Sequence, residues 1–307
     1  MLCASRISIN DSAVQELNVL LSSPLDWGKI VRLSVYHGIA PLLYQNTRRF
    51  FFLRERIPKE TISILQKNYY VSASYSLRLW KAFLLIFDTL TYHNIQLIPL
   101  KGIIFGHLIY RNPALRPIPC DIDILIPEKK ILEAVRLIEE LGYRLQPGDL
   151  THQKIFKRGA INLDVHWRLL TSGLDRIHLD TLWERATTYS IDNRQINVLS
   201  YEDMILTLPL QLRYGLQHIR LFRLLDIHEI LRQKENALDW DYIITSAKRW
   251  RIAGPLVFCL CLCERLFSSP LPSKIIFRLT IGSFKRKLLR KILQENSLPR
   301  LFTEEMK

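Results

Sequence analysis

The sequence is poor in glycine, poor in acid and free of long apolar runs, and each shortage removes a class of protein. With 11 glycines in 307 residues, the chain is no linker-rich or low-complexity polymer. No apolar stretch approaches the ~18 residues a membrane span needs, and the longest are interrupted by Asp88 and Glu264. The opening MLCASRISINDS lacks an apolar h-region, so no signal peptide is expected. There are 29 Asp and Glu against 43 Lys and Arg, a net charge of +14 and a pI near 9.7. That balance favours anionic partners: nucleic acid, nucleotide phosphates or an anionic membrane surface. The five cysteines, Cys3, Cys120, Cys259, Cys261 and Cys263, are odd in number and form no disulfide framework. Their Cys-x-Cys-x-Cys run is apolar and lacks the paired Cys-x-x-Cys or nearby His of a zinc site. Buried, reduced thiols are expected, with the reducing cytoplasm as default compartment.

What is present is a globular composition, 48% hydrophobic and 23% charged, long enough for two or three packed units at ~100–200 residues each. Helical spacing runs through 12–21, 30–44 and 62–90. The pattern changes at His93. Residues 95–100 read as a strand ending in Lys101-Gly102, then a short helix over 103–110, then a loop enforced by Pro113, Pro117 and Pro119. Strands are expected at 121–126, 143–145, 154–157 and 162–167, with an amphipathic helix over 129–141 stopped by Gly142. A hairpin surrounds Asp192-Asn193. Ser200 and Asp203 then resemble a capping box, opening helices over 204–216, 221–232 and 242–267, with Asp239-Trp240-Asp241 at a helix start. No internal repeat of 20–50 residues is present. The plan is a helical region over 1–94, an α+β core over 95–199, and a helical region over 200–307.

The chemistry concentrates in the core. Side chains alternate across a strand, so Asp121 and Asp123 share one face while Ile122, Ile124 and Ile126 share the other. Two carboxylates so close repel, and a divalent cation relieves them; Mg²⁺ takes oxygen ligands, commonly one or two carboxylates plus substrate phosphates. A second strand repeats the pattern, with Asn162, Asp164 and His166 on a polar face and Leu163, Val165 and Trp167 on an apolar one. If the two strands are neighbours, Asp164 completes a three-carboxylate site able to hold two metals. Lys101, as a point charge, and Arg116, as a bidentate fork, are the natural phosphate-binding cations.

At this point the chain resembles a known family. Leu100-Lys101-Gly102, Tyr110, Pro113, Arg116-Pro117 and Asp121-Ile122-Asp123-Ile124-Leu125-Ile126-Pro127 look like the signature of the bacterial "uncharacterised nucleotidyltransferase" family of the DNA polymerase beta-like superfamily. Leu141-Gly142-Tyr143, His152, Leu163-Asp164-Val165-His166-Trp167, Pro41-Leu42-Leu43 and Leu224-Leu225-Asp226-Ile227 continue it, over roughly residues 30–265. The resemblance implies a nucleotidyltransferase-like mixed sheet with helices and a cytoplasmic, Mg²⁺-dependent enzyme that uses two ions, with Mn²⁺ as the substitute. The reaction implied is transfer of a nucleoside monophosphate from a nucleoside triphosphate to a hydroxyl on a small molecule, peptide or protein. Asp121 and Asp123 would be metal ligands, Asp164 the third carboxylate, as ligand or base, and Gly102 with Lys101 would border the triphosphate. The wider superfamily carries Gly-Ser or Gly-Gly before its acidic pair, at shorter spacing; here Lys-Gly and a proline-rich connection stand in that place.

His166 is expected to orient a carboxylate or touch the nucleotide, or else to make a structural hydrogen bond. His152 is expected in a solvated turn, with a triphosphate contact as the alternative, and His218 and His228 in packing or surface roles. Arg223 and Asp226, three apart on a helix, are expected to pair with each other, the alternative being that they reach into the cleft from the C-terminal region. Over 274–291 the chain carries Lys274, Arg278, Lys285, Arg286, Lys287, Arg290 and Lys291 with no acid, a solvated basic helix or a contact for nucleic acid or an anionic membrane. The competing functional reading is a nucleotidyltransferase-like module without turnover, binding RNA or acting as an antitoxin-like partner.

Overall fold

The computed structural model describes residues 6, 7, 9, 11–116, 121–148, 151–169, 177–214 and 220–279. Cys3, Cys120, Pro117, Pro119, His218 and the basic segment from 280 onward lie outside the described residues.

Helices come first: α1 (Asp11–Leu21), α2 (Trp27–Tyr36), α3 (Ala40–Arg49), α4 (Phe51–Arg56) and the 34-residue α5 (Lys59–Tyr92). The buried positions of α5, among them Leu65, Ser72, Ser76, Leu79, Phe83, Ile86 and Leu90, recur every three or four residues, and that stripe fixes which side faces the core. Its small serines let another segment come close. Ser72 Oγ donates to the carbonyl of Ala114 at 2.8 Å and Ser76 Oγ to that of Pro113 at 3.2 Å. These bonds pin the one-turn helix Pro113–Leu115 that leads towards the first acidic strand. Gly106 makes room on the other side, because a Cβ there would stand 3.0 Å from Pro113 Cα.

Five strands form the central sheet: β1 (Ile98–Leu100), β2 (Asp121–Leu125), β3 (Arg144–Leu145), β4 (Gln153–Arg158) and β5 (Ile161–His166), in the order β1-β2-β5-β4-β3. Only β2 and β5 run parallel; the other pairs are antiparallel. The sheet is mixed and the fold is α+β, as expected. α6 (Gly102–Leu108) follows β1, and α7 (Ile131–Glu140) lies between β2 and β3. α8 (Leu179–Arg185) precedes a separate hairpin of β6 (Thr187–Ile191) and β7 (Arg194–Val198), turning at Asp192 and Asn193, both at positive φ. The C-terminal part holds α9 (Tyr201–Thr207), α10 (Leu221–Lys234), α11 (Trp240–Arg249), α12 (Ala253–Phe267) and the short α13 (Ile275–Arg278). One hydrophobic cluster runs from Leu42 and Phe83 through Ile122, Ile124 and Leu163 to Leu225 and Leu260, so the sheet's apolar face and both helical regions share a core.

The structure corrects several element boundaries. The periodic stretch 30–44 breaks at Gly38, whose φ of +67 leaves the helical region, and a Cβ there would meet the Phe222 ring at 2.9 Å. The stretch 242–267 breaks at Arg251, φ +59. The helix expected over 204–216 is α9 followed by tighter turns over Leu208–Tyr214, where Pro209 removes a backbone donor. The strand expected from 95 begins only at Ile98; Ile95 and Leu97 are buried outside the ladder. α4 and α8 carry no strong sequence period and were not expected. Ser200 caps α9 as read, accepting from Asp203 N at 3.1 Å and donating to Asp203 Oδ2 at 2.7 Å. Asp239 caps α11.

Cys259 and Cys263 are buried on α12 and Cys261 is half-buried. Burial pushes the Cys259 thiol up to about 12 and the Cys261 thiol up to about 11, which makes both poor nucleophiles and ligands. His228 is buried and bonded to Ser269 Oγ at 2.8 Å, a packing role. In the described part of the basic segment, Ile275 is buried, Phe277 is exposed and Arg278 pairs with Asp241. No helix among the described residues is long and apolar enough to cross a membrane.

Candidate active site

Parallel pairing of β2 with β5 sets Asp123 opposite Asp164, Asp121 opposite Asn162 and Leu125 opposite His166. Partners directly across a ladder share a face, so the acids of both strands converge, while Ile122, Ile124, Leu163 and Val165 are buried on the other side. Asp123 is the hub. Its Oδ1 accepts from Lys101 Nζ at 2.7 Å and from His166 Nε2 at 3.0 Å. Burial alone would raise this carboxyl, but the Lys101 charge and the His166 bond outweigh burial and hold it well below the usual carboxylate range. Burial pushes His166 below its ordinary value; its Nε2 donates to Asp123, and among the described residues its Nδ1 is sealed without a hydrogen-bond partner.

The other two acids behave oppositely. Asp164 is pushed up to about 7, by burial first and then by the charges of Asp123 and Asp121. Among the described residues, none donates a hydrogen bond to it. Asp121 is raised too, mainly by burial, although Asn162 Nδ2 donates to its Oδ1 at 3.1 Å. Such a cluster keeps a proton or takes a cation. One ligand atom each from Asp123, Asp164 and His166 falls within 4.8 Å of the others. Asp121, on the same face one step along β2, is not part of that close group. The donors are mostly hard carboxylate oxygens, a chemistry that fits Mg²⁺ or Mn²⁺.

Lys101, Gly102, Arg116, Asp121, Asp123, Asp164, Thr207, Leu208, Phe222 and Arg223 line a cleft of about 190 Å³ over these acids. Lys101 sits between β1 and α6 at φ +53, ψ −130, a conformation suited to glycine. A side chain held there costs about 1–3 kcal/mol, so the ammonium on Asp123 is retained against the backbone's preference. Lys101→Ala and Lys101→Gly both delete the ammonium, but only glycine relaxes the backbone. The glycine variant is expected to be the more stable by about 1–3 kcal/mol in chemical denaturation; equal midpoints would show that no strain is stored.

Arg116 lines the cleft as well, but its guanidinium is committed to a buried pair: Nε to Asp226 Oδ1 at 3.2 Å and Nη2 to Asp226 Oδ2 at 2.6 Å. It also stacks on Phe222, 4.6 Å from the ring centre. This corrects the expected Arg223–Asp226 pair. Asp226 faces inward to Arg116, where full burial strengthens a bidentate contact, and Arg223 turns to the cleft. His152 lies beside His166, ring centres 6.4 Å apart, rather than in open solvent. Thr207, Leu208 and Phe222 reach the cleft from the C-terminal helices, and nothing in their local pattern distinguishes them from core positions.

The model of a family described as uncharacterised nucleotidyltransferase matches residues 23–268. The chain belongs to that family. No curated protein matches it. Among solved structures, the antibiotic-resistance factor ANT(2'')-Ia in solution is 14% identical, with a TM-score of 0.45 over 58% of this chain and 95% of that one. The same factor in complex with adenylyl-2''-tobramycin is 14% identical, at 0.43 over 57% and 97%. An antigenic nucleotidyltransferase-like protein from Paracoccidioides brasiliensis is 15% identical, at 0.35 over 69% and 97%. Within this nucleotidyltransferase family, Asp121, Asp123, Asp164, Lys101 and Gly102 of the present chain meet around one cleft.

Proposed function

We infer that the protein is a divalent-metal-dependent nucleotidyltransferase, moving a nucleoside monophosphate from a nucleoside triphosphate to a hydroxyl. The observation that carries this reading is the parallel register of Asp123 with Asp164, at the floor of a cleft that also holds Lys101, Arg116 and Arg223. Asp123 and Asp164, with Asp121 beside them, would hold the cation, Mg²⁺ by the hardness of the donors, and His166 keeps Asp123 oriented. When bound, such an ion neutralises phosphate charge and favours in-line displacement at phosphorus. Lys101 supplies a positive charge at the cleft wall, and Gly102 lets the start of α6 approach a phosphate without a side chain between them. The acceptor hydroxyl attacks the α-phosphorus and gives up its proton to a carboxylate of the site, with Asp164 the candidate base, or to water; the bond to the bridging oxygen breaks, and pyrophosphate leaves with that electron pair.

The test is pyrophosphate release with each of the four ribonucleoside triphosphates, in Mg²⁺ and in Mn²⁺, across hydroxyl acceptors of the small-molecule, peptide and protein classes. Release that stops with a chelator and returns with Mg²⁺ is the expected result. Metal-dependent nucleotide binding that survives Asp121→Ala plus Asp123→Ala unchanged would sink the assignment.

A further inference from the structure

The cleft has a second wall, and it does not come from the acidic motif. α10 begins at Leu221, and its start is held in place. Phe222 N donates to the His37 carbonyl at 3.2 Å, and Arg220 donates from Nη1 to the Tyr36 carbonyl at 2.9 Å while stacking on the Tyr36 ring. Gly38 is the reason this junction closes. The anchored turn presents Arg223 to the cleft.

Arg223 is placed where a cation is unwelcome. Among the described residues, its Nη1 is sealed from solvent without a hydrogen-bond partner. Asp226, the acid three residues along the same helix, is taken up by Arg116. The first turn of a helix is its positive end and disfavours cations. Burial, and then the Arg116 charge, make the protonated guanidinium less favourable. Lys101, on the motif side of the same cleft, already has Asp123 as its counter-ion; Arg223 feels the charges of Asp226 and Asp123, but among the described residues no acid is bonded to its Nη1. A rigid fork of donors, partly dry and facing a cleft floored by metal-binding acids, suits phosphate oxygens.

We propose that Arg223 binds the phosphate tail of the nucleoside triphosphate, clamping it from the C-terminal helical region. This proposal rests on the nucleotide reading above. The clamp leaves the acidic motif to hold the metal and the reacting phosphate, and gives the departing pyrophosphate its counter-charge. It also makes the C-terminal helices part of the binding site, since α10 alone contributes this cation.

The test uses the full chain, with inorganic tripolyphosphate, ATP and AMP as separate probes, by calorimetry in Mg²⁺. Arg223→Gln is expected to lose roughly 10- to 100-fold in affinity for tripolyphosphate and ATP and little for AMP. Arg223→Lys is expected to fall between, keeping charge without the fork. Melting temperature gives an independent reading. Arg223→Gln should melt close to the parent, since burial of the guanidinium and its repulsion from Arg116 oppose its attraction to Asp226 and Asp123 and its contact with the Phe222 ring, and tripolyphosphate should raise the melting temperature of the parent only. Unchanged tripolyphosphate affinity in Arg223→Gln overturns the proposal, and so does a variant that melts lower while binding normally. Arg223-dependent tripolyphosphate binding without transfer from any nucleotide supports the clamp and sinks the enzyme reading. Transfer that is indifferent to Arg223→Gln does the reverse. A parent protein that binds none of the probes overturns both.

Discussion

Asp123→Asn is expected to reduce nucleotidyl transfer by on the order of 10³-fold or more while leaving the protein folded. The size follows from position. Asp123 pairs in register with Asp164 and takes both Lys101 and His166 on one oxygen. The asparagine keeps the volume but removes the charge, and with it one of the two carboxylates of the close group. Charge stabilisation by a bound metal is worth several kcal/mol, and each ~1.4 kcal/mol is tenfold in rate. The fold loses less. Lys101 has a side chain one-third exposed, so its ammonium turns to solvent once the carboxylate is gone, and the apolar side of β2 is untouched. Asp121→Asn should be milder in binding, because Asp121 lies outside the close group of ligand atoms. Pyrophosphate release at saturating nucleotide and metal, with circular dichroism as the folding control, reads the result. A variant that keeps more than a tenth of the parental turnover would place the metal elsewhere.

The acids were legible in the sequence because their signal is local. Alternation in Asp121–Leu125 and Ile161–His166 assigns each carboxylate to a face from neighbouring residues alone. The pairing of those strands was not local, since α7, β3 and β4 intervene, and it was anticipated only through the family resemblance. The missed features share a physical origin. Helical periodicity continues through Gly38 and Arg251, because residues on both sides face the same core, so the breaks left no gap in the pattern. Lys101 at positive φ was invisible, since the residue type is the wrong one for that backbone. The Arg223–Asp226 pair looked plausible because it lay three residues apart, yet a partner 110 positions away offered Asp226 a fully buried fork. Sequence proximity supplies an exposed contact of a few tenths of a kcal/mol, and it gives way readily to a buried bidentate one.

That buried pair sets up the other large effect. Arg116 and Asp226 have side chains 4% and 0% exposed. Removing one partner leaves the other charged and dry, which costs about 3–5 kcal/mol. Arg116→Met is therefore expected to lower the unfolding free energy by that amount, and Asp226→Leu similarly. The double variant should recover most of the loss, because a well-packed apolar pair in place of a buried ion pair is commonly neutral or stabilising. Chemical denaturation of the four proteins in the cycle reads the coupling directly; additive losses would mean that the pair is not a unit. The same four proteins separate the two arginines of the cleft. In Arg116→Met, the orphaned Asp226 is free to turn to Arg223 three residues away on α10, and tripolyphosphate affinity should fall although Arg223 is intact. In the double variant no carboxylate competes, and affinity should return with stability. A double variant that regains stability but still binds tripolyphosphate weakly would instead put Arg116 itself on the phosphates. Arg116 would then be both the structural tie to α10 and a ligand of the nucleotide.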